Sequence, residues 1–112
     1  MNRISVLLLT LAAVAAAGGQ LMFKIGARGR EHWAEFLNIP LLIGILLYGF
    51  GTLIWIYTLS KESLVNVYAF TALSFVLVYL GSVMLLGERL AAGGMTGILL
   101  VLAGLYLITH YG

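Results

Sequence analysis

Four apolar stretches divide the chain, and short polar breaks separate them. The first runs from about Ile4 to Phe23, between Arg3 and Lys24, and a polar segment from Arg28 to Glu35 follows it. The second covers about Leu37 to Leu59. Asn38 is placed to cap it, and Pro40 falls in its first turn, where no intrahelical donor is lost. Ser60-Lys61-Glu62-Ser63 form the next break. The third stretch extends from about Leu64 to Leu86 and closes on Gly87-Glu88-Arg89; the fourth extends from about Ala91 to Thr109. Each has close to the ~20 residues that carry a helix across a ~30 Å hydrocarbon core. A spanning segment must satisfy its own backbone hydrogen bonds, which a helix does. The alternating ~10-residue segments of a membrane β-barrel are absent. The pattern predicts an all-α membrane protein, a single domain over residues 1–112 with four transmembrane helices (about 4–23, 37–59, 64–86 and 91–109) and both termini on one side.

Composition removes the soluble alternatives. Hydrophobic residues make up 62% of the 112 and charged residues only 9%, with a mean hydropathy of +1.10. A soluble chain of this size leaves too much of itself exposed to hide that apolar surface from water. The net charge is +2, but six Lys and Arg form no basic patch, so no nucleic-acid partner is expected. There are no cysteines, hence no disulfides, thiol catalysis or thiolate metal site. Arg3, the apolar run and the small residues behind it resemble a signal peptide, but the run has span length and no soluble domain follows. Lys24, Arg28, Arg30 and Arg89 outnumber Arg3 and Lys61 on the opposite side, so the positive-inside rule places the termini outside by a small margin. So small a bias also allows insertion in both directions, and with it an antiparallel homodimer.

Within the spans, small and polar residues carry the information. Ala12, Ala13, Ala15, Ala16, Ala17, Gly18 and Gly19 crowd the first helix, and Gly93, Gly94, Gly97 and Gly104 mark the fourth. In lipid, small residues drive association by letting backbones approach. Gly97 and Gly104 share a face that either packs within the four-helix unit or meets a second subunit. On the third helix, Tyr68, Thr71, Phe75, Tyr79 and Ser82 fall within an arc of roughly 80° at about 100° per residue. Such a stripe is costly to point at lipid, and it belongs either to an inter-helix seam or to the wall of a substrate cavity. Gln20 and Lys24 are one turn apart on the first helix, with Lys24 about a turn into the polar segment. Lys24 is either a lysine snorkelling to the headgroups or a cation waiting for a phosphate, with Gln20 as a hydrogen-bond partner. Arg28 and Arg30 stand nearby, as further charge or as headgroup anchors.

Enzyme chemistry has little to work with, and no catalytic residues or cofactors are expected. Glu31, Glu35, Glu62 and Glu88 all lie in loops, and Asp is absent. His32 and His110 are far apart, without a metal-ligand pattern. No carboxylate sits within a span, so a proton-coupled carrier lacks its usual titrating group.

Several short motifs resemble one family. Gly19-Gln20-Leu21-Met22-Phe23-Lys24 is similar to the Gly-Gln-Leu-x-x-Lys that ends the first helix of the aminoarabinose-phosphoundecaprenol flippase subunits. Val67-Tyr68-Ala69-Phe70 resembles the segment opening their third helix. Gly87-Glu88-Arg89-Leu90 is similar to a turn widespread in the drug/metabolite transporter superfamily, and Gly97 and Gly104 match the fourth-helix spacing with which its small multidrug resistance exporters dimerise. The chain thus resembles the four-helix small branch of that superfamily (EamA-like and small multidrug resistance-like), closest to the flippase subunits. The small exporters carry an essential Glu where this chain has Ala16, which the flippase subunits also lack.

The resemblance implies an inner-membrane flippase of an undecaprenyl-phosphate-linked sugar. Lys24, with Arg28 or Arg30, would serve the phosphate; Tyr68, Thr71, Ser74 and Tyr79 would serve the sugar, with Trp55 or Tyr48 stacking on it. Four helices enclose little volume, so a dimer is expected, either a homodimer or a heterodimer with a related four-helix subunit, with Gly97 and Gly104 at its interface. The alternatives are a drug or metabolite exporter with unrecognised coupling residues, and a non-transporting accessory subunit.

Overall fold

A computed structural model describes residues 2–111. Its helices are α1 (Arg3–Ala27), α2 (Ile39–Leu59), α3 (Leu64–Ala69), α4 (Thr71–Leu85) and α5 (Ala92–Tyr111). A short 3-10 turn, Trp33–Phe36, sits in the first loop. With α3 and α4 forming one span, four helical stretches are long and apolar enough to cross a membrane, and no strand occurs among the described residues. The chain is an all-α, multi-pass membrane protein.

Side chains close the helix ends that the backbone leaves open. The Asn2 side-chain Oδ1 accepts from the Ser5 N–H at 2.8 Å to start α1, and the Asn38 Oδ1 accepts from the Leu41 N–H at 3.0 Å to start α2. Asn38 also donates to the Gly26 carbonyl at 3.1 Å, where the Arg30 Nε donates at 3.0 Å. These bonds occupy a carbonyl in the last turn of α1, which runs four residues beyond Phe23. Lys24 therefore lies inside the helix rather than in the polar segment.

The third span departs from the single helix expected. It breaks at Phe70, whose N–H bonds back three residues to the Val67 carbonyl at 3.1 Å. Neither glycine nor proline lies there. Tightening the turn aligns side chains three apart, and Val67 and Phe70 are both buried, in one cluster with Leu9. Trp55, Leu59, Leu73 and Leu105 pack around that cluster, so every span contributes to it. At the far end of α4, Gly87 takes φ +71° and turns the chain into the Glu88-Arg89 segment.

The helices form a curved row in the order α2–α1–α4–α5, with α3 touching both α2 and α5. The overall extents of 46 × 35 × 18 Å are those of a slab rather than a square bundle. The α1–α2 contact is the most extensive in the molecule and is made backbone against backbone. A Cβ added at Gly19 would lie 2.8 Å from the Gly44 carbonyl oxygen and 3.0 Å from the Tyr48 nitrogen. One added at Gly51 would lie 2.9 Å from the Ala12 carbonyl oxygen. The crowded small residues of α1 thus find their partners in Gly44 and Gly51 of α2. In contrast, α5 is covered least, and Ile98 is its one buried residue among those described.

In the first loop the Glu35 carboxylate accepts from the Glu31 N–H at 2.8 Å and the His32 N–H at 3.3 Å. These two bonds, with a smaller contribution from the nearby Arg30 charge, hold its pKa below the ordinary carboxylate value.

Gly19→Ala should cost about 1–3 kcal/mol, because the backbone facing it has no room to retreat. Gly49→Ala, with nothing within 4 Å of its added Cβ, should be neutral; thermal unfolding of the two variants in detergent makes the comparison. Because folding lowers the Glu35 pKa, its support of the turn is complete above the ordinary carboxylate range and is lost as pH falls through the folded value. The protection of the Glu31 and His32 amides, measured as exchange relative to an unstructured chain at the same pH, should fall in acid, and Glu35→Gln should show the reduced protection already at neutral pH.

Candidate functional site

Because α2 and α4 both pack on α1 and hardly touch each other, a groove opens between them with α1 as its floor. Its volume is about 630 Å³, within the range of small-molecule sites. Leu9, Ala12, Ala13, Ala16 and Gln20 form the floor. Tyr48, Gly51, Thr52 and Trp55 make one wall, and Tyr68, Phe70, Thr71, Ser74, Phe75, Val78 and Tyr79 the other. Helix packing gives it two distinct ends. Trp55, Tyr68 and Phe70 stand at the end closed by the Leu9 cluster. Gln20, Tyr48 and Tyr79 stand at the other, towards the first loop.

Seven of the ten residues expected to bind substrate meet in this groove: Gln20, Tyr48, Trp55, Tyr68, Thr71, Ser74 and Tyr79. The third-helix stripe keeps its common side across the break at Phe70, apart from Ser82, which is not in the lining and donates to the Tyr79 carbonyl at 2.8 Å. Lys24, Arg28 and Arg30 are exposed and do not line the groove. Arg30 is turned to the Gly26 carbonyl, and Arg28 is the residue capping α1. Lys24 extends the floor's row. Leu9, Ala13, Ala16 and Gln20 follow one another at intervals of three or four, and Lys24 stands one turn, about 6 Å, beyond Gln20 on that side.

The polar groups in the groove differ from those elsewhere in the spans. Thr10, Thr58, Thr96 and Thr109 each donate their hydroxyl to a carbonyl one turn back on their own helix. In the groove, Thr52 does the same, to Tyr48. Thr71, Ser74, Gln20 and the three tyrosines make no side-chain hydrogen bond among the described residues, and none of their polar atoms is buried without a partner. They face open space and can meet a polar ligand. Ala16 lines the floor where the small exporters' Glu would stand, so the groove holds no carboxylate. Among the described residues no cluster suited to a metal ion occurs.

Sequence comparison bears on what the groove serves. The chain is 28% identical, over 92% of its length and 95% of the relative's, to the probable 4-amino-4-deoxy-L-arabinose-phosphoundecaprenol flippase subunit ArnE of Aeromonas hydrophila. It is 26% identical to the protein of the same name from Aeromonas salmonicida, over 91% and 94% of the two chains. The chain is similar to these flippase subunits over nearly its whole length. No family model matches it, and no solved structure does. Four spanning helices and this similarity make it a multi-pass inner-membrane protein.

Sequence reasoning missed Gly51 and Ala16 as parts of the groove surface and Gly44 as the partner of Gly19. The spacing of Gly44 and Gly51, seven apart like Gly97 and Gly104, was the available signal. Gly97 has nothing within 4 Å of an added Cβ, and Gly104 likewise, so neither packs tightly inside the monomer.

The absence of native cysteine allows a direct check of the groove. Ser74→Cys should react with a small water-soluble maleimide in membranes. Thr58→Cys, at a site with 0% exposure, should stay unlabelled until the protein is denatured.

Proposed function

We propose that this protein is a subunit of a transporter that moves a sugar phosphate linked to a polyprenyl lipid across the inner membrane. One observation carries the reading: Gln20, Thr71, Ser74 and three tyrosines lie unpaired in a groove between transmembrane helices, leading towards Lys24. A sugar offers hydroxyls to such groups and an apolar ring face to Trp55 or Tyr48. A phosphate needs a cation, and Lys24 stands where the floor's row meets the loop. Arg28 is near enough in sequence to add charge, whereas Arg30 would first have to leave the Gly26 carbonyl. The similarity to subunits named as flippases of an aminoarabinose-phosphoundecaprenol supports the same substrate class.

In this reading the protein binds and translocates without catalysing a covalent step. The headgroup enters the groove, and the polyprenyl tail remains in the apolar phase. No titrating group drives the cycle, so consumption of the product on the far side pulls the flow. The word subunit in the relatives' name supports assembly with a second chain, and the loosely covered α5, with its open Gly97, is the face proposed for it.

Lys24→Ala decides the central role. In native mass spectrometry of protein released from membranes, the wild type should carry a polyprenyl-phosphate mass. The variant should bind it roughly ten- to hundred-fold more weakly, the worth of a hydrogen bond to a charged group, with its helix content unchanged. Wild type carrying only bulk phospholipid would remove the lipid-linked substrate and favour a soluble-metabolite transporter. Full binding by Lys24→Ala would remove Lys24 from the mechanism.

A further inference from the structure

Two strongly exposed apolar side chains lie outside the spans. Trp33, on the 3-10 turn of the first loop, is 93% exposed, and Leu37, which closes that turn, is 89% exposed. Within the spans, acyl chains cover such residues. These two stand between the α1 and α2 spans and need another cover. The turn is not free to fold them inward. The Glu35 carboxylate fastens it to the Glu31 and His32 N–H groups. The Asn38 amide donates both to the Glu35 carbonyl at 2.8 Å and to the Gly26 carbonyl at 3.1 Å, which ties the turn to the end of α1. The loop therefore holds Trp33 and Leu37 outward.

We propose that this turn is seated in the phospholipid headgroup layer of the protein's own membrane, with Trp33 and Leu37 at the boundary between headgroups and acyl chains. The exposed apolar surface of α2 leads to it. Ile39, Leu42, Leu46 and Leu53 are all exposed and fall within an arc of about 60° at about 100° per residue. Leu37 precedes that lipid-facing stripe by two residues. Depth agrees as well. Asn38 holds the end of the turn level with the α1 terminus, and four residues of 3-10 helix rise only about 6–8 Å. The headgroup layer is about 5–7 Å deep on each side of the hydrocarbon, so the turn is about as long as the layer is thick. Charge is complementary, because Arg28 and Arg30 are exposed on the same loop and offer cations to lipid phosphates, while the Glu35 carboxylate is turned to its own backbone. An indole suits this boundary, with an apolar ring for the chains and an N–H for the headgroup oxygens. A turn seated there fixes the depth at which α1 ends, whatever the groove carries.

The chain has two tryptophans, so Trp55→Phe leaves Trp33 as the sole emitter. In phosphatidylcholine nanodiscs, which leave both membrane faces open to solvent, its emission should be blue-shifted. Bromine placed high on the acyl chains should quench it more than bromine at their ends, and quenching by aqueous iodide should be lost relative to the unfolded chain. Free quenching by iodide, with no effect of bromine, would place the turn in water and overturn the proposal. Protection from both quenchers would mean that another protein, a second copy included, covers Trp33, and overturns it equally. Leu37→Cys, in a chain with no native cysteine, gives a second reading should Trp55→Phe disturb the fold. A nitroxide attached there should collide with oxygen more than with a water-soluble nickel chelate, and the reverse preference overturns the seat in lipid.

Discussion

The structure depends on the contact between the backbones of α1 and α2. Gly19 faces the Gly44 carbonyl, and Gly51 faces the Ala12 carbonyl, at separations that no side chain permits. In lipid the drive to associate does not come from hiding apolar surface, because the solvent is as apolar as the protein; it comes from dispersion between closely matched surfaces. The small residues therefore do what a leucine core does in water. With α2 fixed against one side of α1, α4 packs on another, and the space left between α2 and α4 becomes the groove.

One helix consequently performs two tasks with two faces. Gly19 presents bare backbone to α2, while its neighbour Gln20 lies in the groove and Lys24 follows one turn on. This gives a physical meaning to the Gly-Gln-Leu-x-x-Lys segment: the glycine brings the helices together, and the glutamine and lysine stand on the side left open. At the opposite end, Leu9, Val67 and Phe70 tie the spans into one cluster. Burial of two residues three apart tightens the chain there and divides the third span into α3 and α4.

The hydroxyl groups separate into two populations. Those of Thr10, Thr58, Thr96 and Thr109 bond to their own helix, which makes them inexpensive to keep in a membrane. Those of Thr71 and Ser74, with the Gln20 amide and the tyrosine hydroxyls of the groove, make no hydrogen bond to the chain among the described residues. Unpaired polar groups are expensive in hydrocarbon. Their collection in one groove between the spans keeps that cost away from the lipid-facing surface.

Hydropathy along the sequence was enough to place four spans, since lipid imposes both the length of an apolar run and its helical form. The Asn38 cap was legible for the same reason: capping is local, and the group it serves is three residues away. The common side of Tyr68, Thr71, Phe75 and Tyr79 followed from helical periodicity alone. Partner choice did not. Whether a small-residue face meets α2, α4 or nothing depends on contacts between distant segments, which is why Gly44 and Gly51 emerged only with the fold. Lys24 moved from loop to helix because Arg30 and Asn38 close the α1 terminus from outside it. The break at Phe70 came from burial beside Leu9, some sixty residues away. The sequence by itself determined the solvent, the number of crossings and the polar inventory; only tertiary structure decided which of those polar groups share a space, because that depends on which helix backbones can touch.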